Sequence, residues 1–175
     1  MTPESTASRF TPQQEIARLA GLREVHSAFE WFNAHARELS DQQLELTRIP
    51  APPFGEARRA EWLRARFAGL GLQNVHIDEA GNVLGLRPGA VDGSRFVALT
   101  AHMDTVFPAE TPLDIRRDGD RLLGPGISDN GAGLTALLAV AAALQSAEIH
   151  NLGPILFVAN VGEEGEGDLR GIRHL

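Results

Sequence analysis

A chain of 175 residues with 43% hydrophobic and 22% charged side chains has the makings of one ordinary globular domain with a sizeable core. Its formal net charge of −7 disfavours nucleic acid or an anionic membrane surface as a partner. It has no cysteine, which excludes both a disulfide framework and a thiolate metal site, so any bound metal must be held by His, Asp and Glu.

Residues 1–11 read as a disordered lead without the basic flank and apolar run of a secretion signal, followed by a single domain over 12–175. From Pro12 to about Ile49, apolar residues such as Val25, Phe29, Phe32, Ala36 and Leu39 recur at helical spacing. Ser40 and Asp41 are good N-cap types, which predicts two helices broken near position 40. The prolines of I-P-A-P-P-F-G-E forbid a helix, and Glu56 to Leu70 is an amphipathic one ended by Gly69 and Gly71. Val75 to Asp78 and Val83 to Leu86 read as strands around an A-G-N turn. The loop P-G-A-V-D-G then leads to a buried strand from Arg95 to Thr100. A hairpin is expected from Leu113 to Leu123 around Asp118-Gly119-Asp120, then an apolar helix from Gly131 to Gln145 and a buried strand from Ile155 to Asn160. The longest apolar run, Leu134 to Leu144, is too short to cross a bilayer, and a cytoplasmic protein is the default expectation. The element order predicts an α/β fold, a layered and largely parallel sheet with flanking helices.

Three short segments sit just past a buried strand or at a helix start, where open α/β sheets gather ligand-binding groups. In T-A-H-M-D-T-V-F-P, His102 and Asp104 are two apart. A metal-bound imidazole usually donates its other N–H to a carboxylate, and an Asp two residues on along extended chain can be that partner. The plainer reading is a surface His beside a capping Asp. In G-P-G-I-S-D-N-G-A-G, Asp129 lies 27 positions after His102, though S-D-N-G is also ordinary cap and turn chemistry. A phosphate cradle fails here, because no Lys-Ser/Thr follows the glycines and Asp129 would repel a phosphate. In V-G-E-E-G-E-G-D, Glu163 and Glu164 are adjacent. Carboxylates so crowded raise one another's pKa unless a cation sits among them, the alternative being a solvated acidic loop. In combination, His and carboxylates without cysteine suit zinc, manganese or cobalt, and a free carboxylate beside a metal-activated water can take its proton.

H-M-D-T-V-F-P, G-P-G-I-S-D-N-G-A-G and G-E-E-G-E-G together resemble the co-catalytic zinc exopeptidases of the aminoacylase, carboxypeptidase G and peptidase T family, most like its peptidase T-like and dipeptidase branches. R-I-P-A-P-P-F-G-E and D-E-A-G-N-V-L-G fit the family's lead-in. The resemblance implies a zinc-exopeptidase-like catalytic domain, here incomplete, that uses two divalent ions to hydrolyse peptide bonds in small peptides. It further implies that His102 ligates one metal with Asp104 orienting it, that Asp129 bridges both through a cis bond to Asn130, that Glu163 is the general base and that Glu164 ligates the other metal. An N-acyl or N-succinyl amino acid amidohydrolase is the alternative substrate class, and a non-catalytic metal-binding or scaffold protein the alternative of another kind. Many relatives have an acidic residue and a lysine where Asn130 and Gly131 stand. The family also carries a further acidic ligand, a late His ligand and a smaller inserted domain that often dimerises, all beyond Leu175. The expectation is therefore an inactive N-terminal part of a homodimeric parent, with His174 a poor substitute ligand.

Overall fold

The computed structural model describes residues 10–91 and 95–175. Most of the lead expected at 1–11, and part of the P-G-A-V-D-G loop, lie outside the described residues. Thr11 opens helix α1 (Pro12–Ala20) with a reciprocal cap: its hydroxyl accepts the Gln14 amide, and the Gln14 side chain accepts the Thr11 amide. Helix α2 (Arg23–Thr47) follows after Gly21 and an extended Leu22. The break expected near position 40 thus falls at 21–22. Ser40 stays helical by donating its hydroxyl to the Ala36 carbonyl at 2.8 Å, and Asp41 is engaged by Arg37 and Arg117, so neither caps a helix.

After the proline segment come helix α3 (Ala57–Gly69) and strands β1 (Gln73–Ile77), β2 (Val83–Arg87) and β3 (Val97–His102). A short hairpin of β4 (Arg116–Asp118) and β5 (Arg121–Leu123) stands where the sequence placed one. Helix α4 (Gly133–Ser146), strand β6 (Ile155–Asn160) and helix α5 (Arg170–His174) complete the chain. The main sheet has the order β1-β2-β6-β3. It is mixed rather than largely parallel: β1–β2 and β2–β6 are antiparallel, and β3–β6 alone is parallel. The Asp78 carboxylate accepts the amides of Gly81 and Asn82, and Gly81 takes a positive φ, so the tight turn reverses β2 against β1. The β3-to-β6 connection carries α4, a crossover long enough for parallel strands.

α3 packs on β1 and β2, α4 on β3, and α2 on α4. Leu63, Phe67, Leu134, Leu138, Val83 and Phe157 meet in one core cluster. Each such burial contributes roughly 1.5–3 kcal/mol, enough to fix which helix faces turn inward. Helix α4 and the turn before it, Ile127–Ser146, are together 20 residues long and apolar enough to pass for a membrane span by length and composition, but Asp129 and Asn130 leave helical geometry inside this stretch. Half of that stretch is buried inside this protein, so core packing against α2 and β3 accounts for its composition.

Candidate active site

Strands β3 and β6 run parallel with His102 opposite Asn160, so their C-terminal ends emerge side by side. The pairing continues one residue further, where the Met103 amide donates to the Asn160 carbonyl at 2.8 Å. Extended chain alternates its side chains, which sends His102 and Asp104 to one side and buries Met103 on the other. Asp104 is wholly buried. Its carboxylate accepts the amides of Glu163 at 3.0 Å and Glu164 at 2.7 Å, stitching the two strand ends together.

The His102 ring lies between the acidic groups. Nδ1 is 3.1 Å from the Asp104 carbonyl and 3.6 Å from the Asp104 carboxylate, so the nearer acceptor is the backbone. Nε2 is 2.9 Å from the Asp129 carboxylate and 4.0 Å from that of Glu163. A neutral ring donating from Nδ1 leaves the Nε2 lone pair turned into this acidic space. One donor atom each from His102, Glu163 and Glu164 lie within 4.8 Å of one another, close enough that one cation could be held by all three.

Asp129 arrives from the tight turn Ile127–Ala132 ahead of α4, with its side chain 76% exposed. The Asp129–Asn130 peptide bond is cis, as the resemblance implied. The cap chemistry of S-D-N-G belongs to Asn130, whose side-chain oxygen accepts the Gly133 amide at 3.1 Å, and this leaves Asp129 free to face His102. A Cβ on Gly131 would sit 2.5 Å from the Thr47 hydroxyl, and one on Gly133 would sit 2.0 Å from the Asn130 side chain, so both glycines are required by close approach.

Burial opposes charge on His102, but the carboxylates of Asp104 and Asp129 outweigh it and hold the ring up at about 9. Burial likewise pushes Asp104 up, while His102 and the amides of Glu163 and Glu164 more than offset it and keep its carboxyl below the ordinary value. Glu164 is raised, by burial and then by the repulsion of Asp129 and Glu163. The site thus favours a proton on His102 and disfavours charge on Glu164, as follows from carboxylates crowded around one imidazole. Nitrogen and carboxylate donors are the set that zinc, cobalt and manganese accept.

The other histidines lie elsewhere. His174 faces Asp78 at 3.9 Å, His35 stacks on Trp31, and His76 is bonded to the Asn74 carbonyl. Asp168 pairs with Arg173. Two supporting residues escaped the sequence reading. Asn82 is fully buried, accepts the Val161 amide and donates to the Gly171 carbonyl, bracing the glutamate loop from behind. Arg59 is buried against the Met103 carbonyl. A charged residue on the apolar stripe of Leu63 and Phe67 was a signal for Arg59, whereas Asn82 was read as a turn residue within D-E-A-G-N-V-L-G and its bracing role was not. Beside the site, Pro52, Pro53, Val106 and Pro108 wall an open cleft of about 390 Å³ that Glu164 and Glu166 border.

Residues 98–175 match the profile of Peptidase family M20/M25/M40. The chain is 30% identical over 119 residues to carboxypeptidase G2 of a Pseudomonas species (strain RS-16), covering 63% of this chain and 28% of the relative. Among solved structures it is similar to a tripeptidase from Staphylococcus aureus, with TM-score 0.67 and 30% identity, covering 79% of this chain and 39% of that one. It is also similar to the aminopeptidase PepT from Bacillus cereus, with TM-score 0.62 and 27% identity, covering 73% and 36%. The resemblance read from the motifs is therefore shown, as is the mixed α/β fold of those catalytic domains. The chain spans about a third of the length of the proteins it matches.

Proposed function

We propose, on the premise that this chain shares the M20/M25/M40 peptidase fold and motifs, that it supplies the metal-binding and general-base half of an enzyme cleaving peptide bonds in small peptides. The observation that carries this reading is the convergence of His102, Glu163 and Glu164 donor atoms within 4.8 Å, with Asp129 against the same imidazole. His102 would hold one divalent ion, Glu164 a second and Asp129 both, with zinc favoured by the donor set and cobalt or manganese as substitutes. Ions held there would acidify a shared water and polarise the scissile carbonyl. Glu163 is the general base, taking a proton from the attacking water and passing it to the departing amine. Asp104 orients His102 and fixes both glutamates through their amides. The cleft walled by Pro52, Pro53, Val106 and Pro108 is the place for the substrate chain next to Glu164.

With two protein ligands to each ion, this chain alone binds metal weakly and turns over little, because catalytic zinc normally has three. The test has two arms. Zinc titration of the isolated chain should give weak binding, and His102→Ala should remove the one of the two ions that His102 would hold. In the full-length parent, Glu163→Gln should lower kcat on di- and tripeptides by roughly a hundredfold or more with the metal content kept. Full-length protein that cleaves N-acyl or N-succinyl amino acids and leaves peptides intact would replace the peptide reading with the amidohydrolase one. Robust peptide hydrolysis by the isolated chain, lost in Glu163→Ala, would overturn its inactivity.

A further inference from the structure

Arg59 is 1% exposed, on the inward stripe of α3 with Leu63 and Phe67. A guanidinium so buried must be both hydrogen-bonded and electrically balanced. Its donors are engaged: Nη1 to the Met103 carbonyl at 2.7 Å, Nε to the Ile49 carbonyl at 3.1 Å, and Nη2 to Ile49 again and to the Thr47 carbonyl at 3.5 Å. Every one of these acceptors is neutral. The negative charge acting on the guanidinium is that of Asp104, which is itself wholly buried. Burial lowers Arg59 to about 10, so it remains a cation at neutral pH.

Met103 is the residue between His102 and Asp104. Its amide is held by Asn160 and its carbonyl by Arg59, so both peptide planes that aim the two site residues are fixed. We propose that Arg59 is a positioning residue of this site: its guanidinium locks the Met103 carbonyl and balances the buried Asp104 carboxylate, keeping His102 and the Glu163 and Glu164 amides in place. The inference rests on the metal-site reading for its purpose, and its test separates the two.

The experiment uses the chelator-treated, ¹⁵N-labelled chain and the variants Arg59→Lys and Arg59→Met. Lysine keeps a cation in the pocket but lacks the fork that spans Met103, Ile49 and Thr47. Exchange of the Glu163 and Glu164 amides should accelerate about tenfold or more in both variants, with the core amides of Leu138 and Val158 held near wild type. A Co(II) titration should then show about tenfold weaker binding and an altered ligand-field spectrum, with Arg59→Lys closer to wild type than Arg59→Met. If Arg59→Met does not fold, Arg59→Lys decides alone. Unchanged Glu163 and Glu164 exchange in folded Arg59→Lys overturns the inference, as does acceleration spread equally over Leu138 and Val158. Wild-type chain that takes up no Co(II) removes the metal reading, and the amide result still decides the role of Arg59.

Discussion

Asp104 does more for the site than any ligand candidate, because one buried carboxylate serves two backbone donors and faces an imidazole. Asp104→Asn removes the charge and puts an NH₂ where one of the two amides needs an acceptor. That unsatisfied donor should cost ~1–3 kcal/mol of stability, measured by urea unfolding of the chelated chain. A loss indistinguishable from that of an exposed control such as Asp118→Asn would contradict the assignment. His102 makes a separate prediction about pH. Its folded-state value of about 9 lies above the ordinary 6.5, so the protonated ring is favoured by folding. Its contribution is complete below about 6.5 and is lost as pH rises through about 9. The melting temperature of metal-free chain should therefore fall across that interval, and His102→Gln should flatten the fall; an equally steep profile in the variant would exclude His102 as the source. These residues were legible because they sit in short motifs at strand ends. Arg59 was not singled out, since a helical pattern reports which face a residue occupies but not that a cation there will find a buried carboxylate and three carbonyls from distant segments.

At the scale of elements, the turn before α4 makes a prediction of unusual sign. Glycine within a helix normally yields to alanine with a gain of roughly 0.5–1 kcal/mol. Gly133 sits in α4, but a methyl group there would meet the Asn130 oxygen that caps the helix. Gly133→Ala should destabilise the chain and displace Asp129 from His102. Gly69→Ala, with open space around its Cβ at the end of α3, should be neutral or stabilising. Chemical denaturation of the two variants side by side checks the contrast, and a stabilised Gly133→Ala would refute it. Helix α3, the hairpin and strand β6 were all readable from spacing and turn residues, because local chemistry determines them. The helix break was misplaced since Ser40 and Asp41 carry cap side chains that bond within and beside the helix instead. Strand direction was misjudged for a different reason: alternation along one strand contains no information about which neighbour it will pair with.

For the molecule as a whole, β3 is an edge of the main sheet among the described residues, and Phe96 and Val97 at its start are 60% and 59% exposed. An open edge with apolar side chains is a template for pairing with another chain. The isolated chain should associate with rising concentration, and Val97→Lys should suppress this in sedimentation velocity runs; equal association in the two proteins would exclude the edge as its cause. The opposite edge of β3, the one paired with β6, has a consequence of a different order. Its pairing with β6 sets His102 opposite Asn160, and Asp104 grips amides 59 and 60 positions away. Such closures between remote segments are what slows a folding search, so the site assembles only after the topology is complete. On the proposed metal reading, ion uptake would then act as a clock for folding: cobalt added during refolding should colour the protein in step with the last structural phase, and colour arriving with the first collapse would refute this order.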